Sequence, residues 1–135
     1  MNDLALMPDW SALFLGLFAL FAGIGELRRP GQWQLLMDEL RGSPALQVSV
    51  AMIEFLIGSL IYMVNPWGSP DWLARVMNVL GALMCIEALL ILAFADVYLK
   101  VLEHRLGPLA RLWAVISVIF GLALIGLAQP GFMHA

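Results

Sequence analysis

The charged residues of this chain are few, and they cut it into four long apolar runs. Residues 10–25 carry no charge between Asp9 and Glu26. Residues 45–64 are broken only by Glu54, and residues 76–95 only by Glu87. Residues 112–133 hold no formal charge, with Pro130-Gly131 expected to end their helix. Each run is close to the ~20 residues that a helix needs to cross ~30 Å of hydrocarbon, the first somewhat short. Lipid cannot satisfy an exposed strand edge, so helices are the form required. Composition agrees, with 62% of the 135 residues hydrophobic and 13% charged. Soluble domains run at roughly 45–50% and about 25%, and a chain this small cannot bury the excess in one water-soluble core. A formal charge of −3 argues against a nucleic-acid partner. The single cysteine, Cys85, allows no internal disulfide. The expected fold is all-α, a four-transmembrane-helix bundle forming one integral membrane domain over residues 1–135.

Basic residues set the orientation. Arg28, Arg29 and Arg41 lie in the first connection, Lys100, Arg105 and Arg111 in the third, and Arg75 alone in the second. The positive-inside rule then puts the first and third connections in the cytoplasm, with both termini and the turn 65–71 facing outward. The N-terminal tail holds Asp3 and Asp9 but no basic residue, unlike a signal peptide. Trp10, Trp33, Trp67, Trp72 and Trp113 all fall at span ends, as an interfacial aromatic belt requires. In the first connection Trp33, Leu36, Met37 and Leu40 recur at helical spacing after Pro30-Gly31, an amphipathic helix suited to the headgroup plane. Val97, Tyr98, Val101 and Leu102 make a similar, less regular pattern before Gly107-Pro108.

A shift of 64 residues pairs Leu35 with Leu99, Glu39 with Glu103, Arg41 with Arg105 and Pro44 with Pro108, and further on Leu60 with Leu124, Ile61 with Ile125 and Pro66 with Pro130. The expectation is two parallel two-span repeats, about 10–66 and 73–130, related by an axis along the membrane normal. Glu26 and Glu87 align only at a shift of 61.

Three acids are candidates for function: Glu54, Glu87 and Glu26. Glu54 and Glu87 sit roughly 12–14 Å inside the basic ends of their spans at 1.5 Å per residue. An ionised carboxylate there costs roughly 2.5–3.5 kcal/mol, and no Lys or Arg lies at that depth to pair with it. Facing each other, the two carboxyls can share one proton; the alternative is a structural hydrogen bond between helices. Around these acids run small-residue stripes, read as helix-packing faces: Ala12, Gly16, Ala19 and Gly23 on the first span, Ala51 and Gly58 on the second, Ser117 and Gly121 on the fourth. They predict that the first span packs tightly on the second. No catalytic constellation or metal site is legible, and His104 and His134 lie outside the spans.

The segment Gly23, Gly25, Pro30, Trp33, Met37 and Pro44 resembles the YjeT-type family of small two-span bacterial inner-membrane proteins. That resemblance covers roughly residues 13–64 and implies a fold, with the second half an added unit. A second resemblance, carried by the segment around Glu54 to Gly58, is to DoxX-like four-helix membrane proteins. It implies an association with quinone-linked redox complexes, although Glu26 stands where that pattern has a basic residue. Three functions follow in order. The first is a non-enzymatic accessory or structural subunit, packed in the lipid bilayer as a homo-oligomer or within a larger complex. The second is a proton- or cation-coupled small transporter using Glu54 and Glu87. The third is a DoxX-like redox subunit with quinone as its one conceivable cofactor.

Overall fold

A computed structural model describes residues 7–133; Asp3 and His134 lie outside the described residues. It is all-α. Helix α1 spans Met7–Arg28, α2 Gln32–Arg41, α3 Pro44–Val64, α4 Trp72–Leu106 and α5 Ala110–Met133, with a 3-10 turn at Gly107–Leu109. Four helices are long and apolar enough to cross a membrane, and α2 is the short helix between the first two. Their outward surface is apolar, as lipid requires: Phe14, Phe18 and Phe21 of α1 are 62%, 75% and 64% exposed.

The ends of these helices follow from local chemistry. Gly31 adopts φ 98°, a left-handed conformation open to glycine, and reverses the chain between α1 and α2. Ser43 caps α3 by accepting the Leu46 N–H at 3.2 Å, with Pro44 at the first helical position. In α4 the backbone breaks at Phe94 (φ −134°, ψ 42°), at the end of the expected third span. The segment beyond that break stays helical to Leu106, so the third connection is an extension of α4 rather than a separate surface helix. Helix α5 runs through Pro130 to Met133, past the stop expected at Pro130-Gly131. A proline this near a helix end forfeits one hydrogen bond, and the carbonyl it leaves belongs to Gly126, whose Cβ position is open.

Packing corrects one expectation. The small stripe of α1 packs against α5, not against α3, and α3 packs against α4. A Cβ on Gly16 would stand 2.8 Å from the Gly121 carbonyl, and one on Gly23 would stand 2.6 Å from that of Ala114. In the second pair, a Cβ on Gly58 would stand 3.0 Å from the Gly81 carbonyl. Both pairs are antiparallel, with backbones in close approach through small residues. Near the second connection, α1 meets the end of α3 where the Asn65 amide donates to Ser11 Oγ at 3.1 Å. Helix α2 explains why: a helical segment between α1 and α3 replaces the tight hairpin turn that would make them neighbours.

The two pairs share one burial pattern. In α1 the buried residues are Pro8, Asp9, Ala12, Gly16, Gly23 and Glu26; in α4 Leu73, Ala74, Met77, Gly81, Ala88 and Ile91 are buried, each 65 positions later. Ala51, Gly58 and Asn65 correspond in the same way to Ala114, Gly121 and Ala128, each 63 positions later. These offsets replace the single shift of 64 and place Ile91, not Glu87, at the position equivalent to Glu26. Between the pairs, toward the second connection, Ala12, Leu73, Met77, Leu124 and Ala128 form the main core.

Candidate functional site

Glu26 is the most completely satisfied of the three candidate acids. It is 3% exposed, at the end of α1. Its Oε2 accepts the Gly31 N–H at 2.9 Å and its Oε1 the Trp33 N–H at 2.7 Å. The donors are the N-cap Gly31 and the first-turn residue Trp33 of α2, where unpaired N–H groups and the helix dipole favour negative charge. The Trp33 indole N–H then donates to the Ala22 carbonyl at 3.2 Å. Glu26, Gly31 and Trp33 therefore form a clamp that folds α2 back onto α1. Charge here is structural.

Glu54 and Glu87 behave differently. They lie on α3 and α4 at the level of the Ala51–Ala88–Ile91 contact and close enough to interact electrostatically. Helical phase explains how they meet. Ile61 and Asn65, which share the 3.6-residue period with Glu54, face the bundle interior, and Leu73 and Leu80 do the same for Glu87. Oε1 of Glu54 is buried and has no hydrogen-bond partner. A buried oxygen left unpaired costs about 1–3 kcal/mol.

Tyr98 completes the group, and the sequence reading missed it as a site residue. It packs against Ala51, Ala88 and Ile91, with its side chain in hydrogen-bonding reach of Glu87 and within electrostatic range of Glu54. Glu87 and Tyr98 are eleven residues apart, about 16 Å along a straight helix. The break at Phe94 is what shortens that distance. No signal in the sequence marks Tyr98, because the helical phase relating residues eleven apart does not carry across that break.

The remaining expected positions are at the helix contacts. Ala12, Gly16, Gly23, Ala51, Gly58 and Gly121 are buried, and Ala19 and Ser117 are half-buried. Ser117 Oγ donates to the Ala19 carbonyl across the α1–α5 interface at 2.7 Å. Cys85 Sγ faces the Phe55 carbonyl at 3.9 Å. Among the described residues no three His, Cys, Asp or Glu side chains converge as metal ligands.

At the basic end the connections are joined by polar contacts. Gln34 Nε2 donates to Glu103 Oε1 at 2.8 Å, and Arg41 pairs with the same carboxylate. At the other end Arg75 is held locally, donating to the Trp67 and Ser69 carbonyls at 3.2 Å each and lying over the Trp67 ring. Comparison with protein-family models, curated proteins and solved structures finds no match to this chain.

Proposed function

We propose that this integral membrane protein works through the Glu54–Glu87 carboxyl pair, which takes up a proton or a small cation from the basic end of the bundle. The observation that carries this reading is the unpartnered, buried Oε1 of Glu54. At the position equivalent by the 63-residue offset, the other helix pair has Ser117, whose hydroxyl donates to the Ala19 carbonyl. The fold therefore does not need a carboxylate there, and a membrane acid kept at that cost is a functional group by default. Chemically, a protonated Glu54 gains a donor while an ionised one attracts a cation. Tyr98 stands beside the pair as the polar group through which either is exchanged. The core around Ala12, Met77, Leu124 and Ala128 closes the opposite half, which favours access from the end carrying α2.

The experiment is flux across liposomes containing the purified chain, driven by a pH or cation gradient. The wild type conducts and Glu54→Gln with Glu87→Gln does not; unchanged flux in the double variant overturns the proposal. An accessory-subunit role is the second reading, favoured by a shallow apolar groove of about 260 Å³ between Met52, Phe55 and Leu56 of α3 and Leu89 and Leu92 of α4. A strictly monomeric chain with no co-purifying partner counts against that role.

The same reading places the basic end in the cytoplasm and both termini in the periplasm. Supporting it, six of seven basic residues border α2, the α4 extension and the start of α5. Labelling of single cysteines from either side checks the orientation. The matching burial patterns of the two halves support an origin by duplication. The YjeT-type resemblance gains a physical account, because its Gly25, Pro30 and Trp33 positions surround the Glu26 clamp.

A further inference from the structure

A cavity of about 770 Å³ opens at the basic end, between α2, the extension of α4 and the 3-10 turn. Gln34, Arg41, Lys100, Glu103, His104 and Arg105 line it, with Val101 as an apolar wall. Three cations thus face one carboxylate in a chain whose formal charge is −3. That carboxylate is already engaged, because Glu103 pairs with Arg41 and accepts from Gln34. Arg41 is further held by Asp38 at 3.1 Å. Lys100 and Arg105 make no ion pair among the described residues. Asp38, Glu39 and Asp96 do not line the cavity. The net result is a local excess of positive charge, with one guanidinium held by carboxylates and two cations without an ion pair among the described residues.

Its position selects the anion. Pro108 forms part of the rim, and the chain continues into Leu109 at the end of the 3-10 turn and Leu112 in the first turn of α5, which are 50% and 52% exposed. A charged recess bordered by lipid-facing apolar residues at the end of the spans matches a phosphate with acyl chains attached. We propose that this cavity binds the phosphate headgroup of an anionic phospholipid. Lys100 and Arg105 supply the attraction, beside an Arg41 already held by Asp38 and Glu103, while the acyl chains run along α5.

The test is native mass spectrometry of the purified chain with phosphatidylglycerol, with phosphatidylcholine, and with glycerol phosphate as the soluble source of the same group. The wild type retains phosphatidylglycerol in preference to phosphatidylcholine. Lys100→Gln and Arg105→Gln each reduce that preference about fivefold, and the double variant about 25-fold. Lys100→Arg with Arg105→Lys keeps the charge and the preference, which separates binding from misfolding. Equal retention of both lipids by the wild type, or an unchanged preference in the double Gln variant, overturns the proposal. Binding of glycerol phosphate as tight as that of phosphatidylglycerol overturns the assignment to lipid.

Discussion

The α1–α5 and α3–α4 interfaces are built on one plan and differ in what they do with polar groups. Each crosses at a glycine pair, Gly16 with Gly121 and Gly81 with Gly58. Each has a second small contact, Gly23 with Ala114 and Ala88 with Ala51. In the first interface the polar groups near the basic end are used: Ser117 reaches Ala19, Trp33 reaches Ala22, and Glu26 takes two N–H groups. In the second, the positions of Ser117, Ala22 and Trp33 carry Glu54, Glu87 and Tyr98, and one carboxylate oxygen is unpaired. The frame supplies stability in both; among the described residues the buried oxygens it leaves unsatisfied are Glu54 Oε1 and Asn65 Oδ1, carried by α3 and its C-cap.

The largest way to break this comparison is at the crossings. A Cβ on Gly121 would stand 2.5 Å from the Gly16 carbonyl, and one on Gly81 would stand 2.7 Å from that of Gly58. Backbone cannot yield as a side chain does, so Gly121→Val and Gly81→Val each destabilise by about 3 kcal/mol. Gly126→Ala, facing open space, is neutral or slightly stabilising. Unfolding in mixed micelles measures all three. If Gly121→Val alone is damaging, the two crossings are not equivalent.

Next in size is the contrast between acids. Glu26→Ala strips two N–H groups at the start of α2 of their acceptor and costs about 2–3 kcal/mol, with α2 losing amide protection in hydrogen exchange. Glu54→Ser, which makes the second interface like the first, instead stabilises by about 1 kcal/mol while abolishing flux. A destabilised Glu54→Ser variant would show that the carboxyl is structural. Ser117→Ala should cost about 0.6 kcal/mol in the same assay, the usual value of one hydroxyl bond between membrane helices. Smallest is Glu103→Gln, which weakens a partly exposed ion pair joining α2 to the α4 extension and lowers stability by at most about 1 kcal/mol.

Much of the architecture is legible in the sequence. Hydropathy locates the four spans, and Pro30-Gly31 marks the start of α2. The acids Glu54 and Glu87 stood out because nothing of opposite charge shared their depth. Glu26 was read with them, since its partners are backbone N–H groups that no side-chain inventory reveals. In the sequence Tyr98 belongs to an amphipathic pattern with Val97, Val101 and Leu102. Only the backbone break at Phe94 turns it toward Glu87.

What the sequence by itself determined is therefore everything that depends on local composition: helical spans, their length, their polar ends and the depth of the two acids. Hydrophobicity acts residue by residue, and the bilayer reads it the same way in every bundle. Which helices pair was decided by tertiary structure. Small-residue stripes occur on several spans here and are interchangeable as a pattern. Choosing among them takes the register that seats Gly16 on Gly121 and Gly58 on Gly81, with α2 separating α1 from α3. That choice brings Glu54 to Glu87, and it left Ser117, not an acid, on the other side.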